Sequence, residues 1–217
     1  MRSAKHSILV CLILLTAVFA GCATSSPSTG MRVPAPVPAI SVESKAEPAV
    51  NPAVQRDFAG ALSAMKLGNY KDAERMLLAL TRVHPELSGP YANLGIVYFR
   101  LGKLPEATEA LEKAIAINPD RAAYHNQLGI VYRQSGQLDK AREAYSRSLQ
   151  IDPNYLNTHL NLGILYDLYL QDQSKALQHY ERYQALLPSA DAQVNKWIVV
   201  LKQRQQSSDK TALRSDR

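Results

Sequence analysis

The chain has 217 residues, a formal net charge of +6 and two cysteines. This length accommodates one domain of ordinary size with extensions. The lysines and arginines are scattered rather than gathered into a basic block, so the sequence gives no support for a nucleic-acid partner, and two cysteines allow at most one disulfide.

Residues 1–21 are predicted to be a signal peptide. Arg2 and Lys5 precede twelve uncharged residues, Ile8–Phe19. This apolar run is shorter than the roughly 20 residues that a membrane-spanning helix needs. A short basic segment followed by an apolar run of this length is typical of a secretory signal peptide.

The segment Phe19-Ala20-Gly21-Cys22 resembles a bacterial lipobox, although Phe19 stands where leucine is usual. The resemblance implies cleavage before Cys22 and a lipid on its thiol. Because Ala23 rather than aspartate follows, it also implies the periplasmic face of the outer membrane. The alternative is an ordinary signal peptide cleaved after Ala20, which would leave a soluble periplasmic protein with a free thiol at Cys22.

Residues 22–53 are predicted to form a disordered tether that begins with the lipidated Cys22. Six of the 31 residues from 23 to 53 are proline, and none is aromatic. Such a segment buries too little apolar surface to offset the entropy of ordering.

From residue 54 to residue 188 the sequence repeats itself with a period of 34 or 35 residues. Three sets of identical residues at equivalent repeat positions show this period: Ala73, Ala107, Ala141 and Ala176; Gly95, Gly129 and Gly163; and Pro85, Pro119, Pro153 and Pro188. Apolar residues inside each period fall at helical spacing, and Gly102 and Gly136 are predicted to end the first helix of their repeats. Since Gly95 and its equivalents lie inside a predicted helix, where glycine costs about 1 kcal/mol relative to alanine, they predict close helix–helix contact.

This pattern resembles the tetratricopeptide repeat (TPR) family. In the second repeat the family pattern is met by Tyr91, Leu94, Gly95, Tyr98, Ala107, Leu111, Ala114 and Pro119. The first repeat is degenerate, and the fourth has one extra residue in the turn around 169–174. The resemblance implies an all-α, right-handed TPR solenoid of about four helix-turn-helix repeats, at 54–87, 88–121, 122–155 and 156–188.

A capping helix is predicted at 189–203, because Val194, Trp197, Ile198 and Leu201 fall on one helical face. The polar residues 204–217 are predicted to be a disordered tail.

Known catalytic sequence motifs are absent, and the sequence predicts no enzyme activity, cofactor or metal site. His125 and His159 occupy the same repeat position, 34 residues apart. Equivalent positions on stacked helices lie about 10 Å apart. Because zinc needs each nitrogen at about 2 Å, packing is the preferred interpretation of this pair. His84 and His179 are predicted to face solvent.

The TPR resemblance implies that the first helices of the repeats line a concave groove in which a protein or peptide binds. The predicted groove residues are Asn93, Gln127 and Asn161; Ile96, Ile130 and Ile164; and Arg100 and Arg133. The amides would bond a peptide backbone, and the isoleucines would form a solvent-facing apolar strip. Alternatively, the amides hold adjacent repeats together.

The sequence therefore predicts a lipid-anchored scaffold for protein–protein interaction, without a nucleic-acid or small-molecule ligand. Similar TPR lipoproteins act as pilotins for the secretins of type IV pili and related systems, which makes envelope assembly the first functional hypothesis. Others dock peptidoglycan enzymes, which gives the second. A periplasmic hydrolase or metal binder is the third.

Overall fold

The computed structural model describes the backbone of residues 51–215 and the side chains of residues 51–207. The described residues form helices and turns and contain no strand, so the all-α prediction is confirmed. The helices are α1 (Pro52–Lys66), α2 (Tyr70–Val83), α3 (Ser88–Arg100), α4 (Leu104–Ile117), α5 (Ala122–Gln134), α6 (Leu138–Ile151), α7 (Leu156–Ile164), α8 (Gln173–Leu186) and α9 (Ala192–Ser215). A π-helical turn, Leu165–Tyr169, follows α7 directly. The predictions for residues 1–50, including the one for Cys22, lie outside the described residues.

Each predicted repeat is a pair of helices, and the pairs stack in chain order. Helices pack within the pairs α1–α2, α3–α4, α5–α6 and α7–α8, and the second helix of each pair contacts the first helix of the next. The first helices also contact one another, in the order α1, α3, α5 and α7, whereas the second helices α2, α4, α6 and α8 do not pack closely together. The row of first helices therefore forms the inner, tighter side of the stack, which we call the inner face.

The mid-helix glycines are sites of close contact between the two helices of a pair, as predicted. A Cβ atom added at Gly95 would lie 2.6 Å from Leu111, and one added at Gly129 would lie 2.5 Å from the ring of Tyr145. A Cβ at Gly163 would overlap Tyr180 in the same way. Only a residue without a side chain lets the second helix approach this closely.

The turns inside the first three repeats use glycine, at the predicted positions Gly102 and Gly136 and also at Gly68. Gly68, Gly102 and Gly136 have φ angles of +78°, +75° and +75°, in the left-handed region that favours glycine. In the fourth repeat this position is Gln171, with φ of +54°.

The extra residue of the fourth repeat is accommodated earlier than predicted. The Leu170 amide donates to the Leu165 carbonyl at 3.0 Å, a bond that spans five residues rather than the usual four. A turn closed in this way holds one more residue than an α-helical turn. The insertion therefore widens the end of the first helix instead of lengthening the loop alone.

Two predicted boundaries differ from the structure. Helix α1 begins at Pro52, two residues before the predicted repeat, because Asn51 caps it: its Oδ1 accepts the Ala53 amide at 2.9 Å. Helix α9 continues to Ser215 and replaces most of the disordered tail predicted for 204–217. Residues 204–215 contain neither glycine nor proline, so nothing in the sequence ends the helix.

The last helix docks on the array as the predicted cap. Val194, Trp197, Ile198 and Leu201 are buried, and the Trp197 ring lies 5.4 Å from the ring of Tyr180 in α8. None of the described helices combines the length and the apolar composition needed to cross a membrane.

The left-handed residue in the fourth repeat provides a test of the turn. A left-handed conformation costs a non-glycine residue about 1–2 kcal/mol. We therefore expect Gln171→Gly to raise the free energy of unfolding by about 1 kcal/mol, measured by urea denaturation. The matched control, Gly136→Gln, should lower it by a similar amount, and equal stability of both variants with the wild type would contradict the assignment.

The cap provides a second test. Trp197→Ala should lower the free energy of unfolding by about 3–5 kcal/mol, because it removes a buried ring from the contact between α8 and α9. Val199 lies on the same helix but is 53% exposed. Val199→Ala should change stability by less than about 0.5 kcal/mol. A negligible effect of Trp197→Ala in thermal unfolding would mean that α9 does not depend on this contact.

Candidate functional site: the inner face

The predicted apolar strip does not face solvent, which corrects the sequence-based expectation. Ile96, Ile130 and Ile164 are only 3%, 5% and 1% exposed. Ile130, for example, belongs to a core cluster with Tyr145 of the same repeat and Leu162 of the next. The first helices of successive repeats pack against one another, so an apolar residue at this position is covered by the neighbouring helix.

Two of the predicted groove amides bond inside the protein. The Asn93 side chain is buried and donates to the Gly89 carbonyl of its own helix at 3.0 Å. Asn161 donates to the Oδ1 atom of Asn126 at 2.9 Å, from α7 to α5. For Asn161 the structure thus supports the alternative interpretation, that an amide connects adjacent repeats.

Asn126 has a role that the sequence analysis missed. Its Oδ1 atom accepts hydrogen bonds from Asn161 and, at 3.1 Å, from the Thr158 hydroxyl. Thr158 also lies 2.7 Å from the hydroxyl of Ser148 in α6. Asn126 has Ala92 and Leu160 as its equivalents in the neighbouring repeats. The available sequence signal was a polar residue at a repeat position that is apolar in the neighbouring repeats. The periodic pattern used in the sequence analysis does not include that position.

Gln127 and Arg133 are the predicted groove residues on α5. Gln127 is only 6% exposed, whereas Arg133 is partly exposed. The Arg133 guanidinium lies 5.7 Å from the ring centre of Tyr169 in a cation–π contact. Its Nη1 atom and the Tyr145 hydroxyl are both buried and make no hydrogen bond of regular geometry in the described part of the chain. Burial raises the pKa of Tyr145, and the nearby Arg133 guanidinium opposes that effect.

The end of this site that is nearest to α9 has an acidic group. The Tyr180 hydroxyl donates to Asp167 at 3.5 Å. Burial raises the pKa of Asp167, and the charge of Arg204 in α9 opposes that effect. Arg100, at the end of α3, is partly buried and belongs to a neighbouring repeat.

The two histidines that share a repeat position have the packing role that was preferred for them. The Nε2 atom of His125 donates to the Pro119 carbonyl at 2.9 Å, and that of His159 donates to the Pro153 carbonyl at 3.0 Å. Burial lowers the pKa of both rings. Each histidine therefore fastens the start of a first helix to the preceding turn.

The prediction that His179 faces solvent is wrong. His179 is partly buried on α8, and its Nδ1 atom lies 3.1 Å from the Nδ1 atom of His159. Burial, together with the neighbouring His159, lowers the pKa of His179 to about 4. In the described part of the chain, no group of three or more histidine, cysteine or acidic side chains is placed to hold a metal ion.

Comparisons with known proteins agree with this architecture. The tetratricopeptide repeat family model matches residues 86–154 and 120–189. No sequence among the curated proteins matches the chain.

Three solved structures illustrate the similarity. A MamA protein is 26% identical, with a TM-score of 0.55, over 61% of this chain and 72% of that one. A thermophilic TPR protein of Thermus thermophilus is 24% identical, with a TM-score of 0.61, over 68% and 80% of the two chains. The pilF protein of Pseudomonas aeruginosa is 19% identical, with a TM-score of 0.65, over 71% and 70%.

The last two likenesses show the fold alone. Together with the family match, they agree with the helix pairs seen in the structure from α1 to α8. Residues 86–189 match the tetratricopeptide repeat family model, and the described part of the chain folds as a TPR solenoid ended by a capping helix.

Proposed function

We propose that this protein is a membrane-anchored scaffold that binds a protein or peptide partner on its inner face. The TPR fold supports a protein–protein interaction scaffold. The observation that carries the proposal is Arg133 on α5, a partly exposed cation whose guanidinium lies beside the rings of Tyr145 and Tyr169. A charge-assisted hydrogen bond from this guanidinium to a partner's acceptor would stabilise the complex.

The surroundings of Arg133 suggest the chemistry of the partner. A carboxylate or a backbone carbonyl would pair with the guanidinium, and the Gln127 amide would bond a backbone group. Tyr169 and Leu168 are 41% and 38% exposed beside this point and would contact apolar side chains of the partner. The expected ligand is thus an extended segment with an acidic group next to an apolar one.

The membrane anchor rests on the N-terminal sequence. The proposed attachment point is Cys22, in the lipobox-like segment, and the residues between it and helix α1, 23–51, would carry the solenoid away from the membrane. At about 3.1 Å per residue an extended tether of this length reaches at most roughly 100 Å. The proposed location is the periplasmic face of the outer membrane.

For the envelope process, we propose the assembly of a complex such as a type IV pilus with its secretin. The support is the combination of a lipoprotein-like leader with a TPR array that is similar in fold to the pilF protein. A peptidoglycan enzyme as the captured partner would favour the adaptor hypothesis instead.

The inner face is tested by quantitative binding. The wild type is used to isolate a partner from an envelope extract, and its affinity is measured by calorimetric titration. Gln127→Ala combined with Arg133→Gln should weaken binding by about 1–3 kcal/mol, because a hydrogen bond and a charge-assisted bond are lost. The melting temperature should change little.

Asn161→Ala is the matched control on the same face. It removes the bond to Asn126, so the free energy of unfolding should fall by about 0.5–1.5 kcal/mol while partner affinity is retained. Normal binding by the Gln127/Arg133 variant would show that the partner docks elsewhere.

The anchor is tested by substitution of its thiol. Cys22→Ser should abolish labelling by an alkyne fatty acid and move the protein from the membrane to the soluble fraction, since the thiol is the proposed acylation site. Cys11→Ser is the control, because Cys11 lies in the segment that cleavage removes, and it should leave labelling intact. Persistent labelling of Cys22→Ser would refute the lipobox interpretation.

A further inference from the structure

The contact between His159 and His179 is the one histidine pair among the described residues, and it has hydrogen-bond geometry, in which one neutral ring donates to the other. The two Nδ1 atoms lie 3.1 Å apart, and the ring planes are inclined by 39°. The Nε2 atom of His159 donates to the Pro153 carbonyl, so its Nδ1 atom carries a lone pair when the ring is neutral. That lone pair faces the Nδ1 atom of His179 in α8.

The third repeat provides an internal comparison. His125 makes the same backbone bond as His159, to the carbonyl of Pro119. The position equivalent to His179 is Ala144 in the third repeat and Ala110 in the second. Fastening a first helix to the preceding turn thus requires one histidine only, and the second imidazole is an addition of the fourth repeat.

From this geometry we propose that His159 and His179 form a binding site for one divalent transition-metal ion, held between their Nδ1 atoms. Metal–nitrogen distances of about 2.0–2.1 Å place two ligating nitrogens roughly 2.9 Å apart at a right angle and roughly 3.3 Å apart at a tetrahedral angle. The observed 3.1 Å lies between these values. A rotation of the partly exposed His179 ring brings both lone pairs onto the ion.

The neighbouring groups suit this role. The bond from His159 to the Pro153 carbonyl is the outer contact that commonly fixes the tautomer and orientation of a metal-binding histidine. The other ring, His179, is stacked on Tyr166 of the π-helical turn, with centres 5.7 Å apart and planes inclined by 7°.

The ligand type indicates which ion binds. Imidazole suits copper, nickel and zinc, and Cu²⁺ has the highest affinity of these for a nitrogen site. Since the described residues place no third protein ligand at the pair, water fills the remaining positions. A bound ion would join α7 to α8 and so stiffen the repeat that contains the π-helical turn.

The test uses the full chain and Cu²⁺ alone. The wild type should bind one Cu²⁺ at this site, with an electron paramagnetic resonance spectrum that shows coupling to two imidazole nitrogens. His179→Gln should lower the affinity at this site by at least about tenfold, because loss of even an outer partner of a ligand costs 10–100-fold. Zn²⁺ should raise the melting temperature of the wild type but not that of the variant.

His125→Gln is the matched control, because it removes the equivalent backbone bond in the third repeat and leaves the pair intact. Its copper spectrum should match that of the wild type. Ligands elsewhere in the chain, such as the cysteine thiols, contribute equally to all three proteins and cancel in the comparison. Circular dichroism confirms that the variants are folded.

The same copper affinity and spectrum for the wild type and His179→Gln would overturn the proposal, as would the absence of the two-nitrogen coupling in the wild type. These outcomes are independent of partner binding at Arg133.

Discussion

The close approach of the two helices in the second, third and fourth repeats, at Gly95, Gly129 and Gly163, is the contact on which the rest of the structure depends. Tyr145 and Tyr180 lie against a helix backbone where any Cβ atom would collide with their rings. Glycine inside a helix costs about 1 kcal/mol relative to alanine. Complete burial of an apolar side chain such as Leu111, which faces Gly95, returns about 1.5–3 kcal/mol, so the exchange is favourable there.

Tight helix pairs then determine how the repeats stack. Each pair leaves apolar residues of its first helix uncovered, and the next pair covers them, which places Ile96, Ile130 and Ile164 in the core. Hydrogen bonds between side chains of successive repeats help to orient the repeats in this packing. The Ser88 and Tyr124 hydroxyls lie 2.9 Å apart between the second and third repeats, and Asn126 accepts bonds from α7. Few polar side chains on the inner face consequently remain for a partner, and the ones proposed here lie on α5.

The fourth repeat departs from the others at several points, and one inserted residue connects some of them. The π-helical turn accommodates the insertion, presents Tyr169 to Arg133 and stacks Tyr166 on His179. A π-helical turn in an otherwise regular array is frequently a functional feature. Both proposed sites, for a partner at Arg133 and for a metal at His159 and His179, lie beside this turn.

The sequence by itself determined the repeat. The spacing of its alanines, glycines and prolines predicted the helix pairs, the ends of the first helices at Gly102 and Gly136 and the close contacts at the mid-helix glycines. An apolar helical face predicted the capping helix around Trp197. These features depend on local periodicity and backbone conformation. Only the tertiary structure decided which side chains remain available. Burial of the isoleucines and use of the Asn161 amide by Asn126 depend on how closely the first helices of successive repeats pack. The 3.1 Å contact of His159 with His179 depends on the approach of two helices within one repeat. Such distances depend on how separate helices pack, and the spacing of residues along the sequence does not specify them.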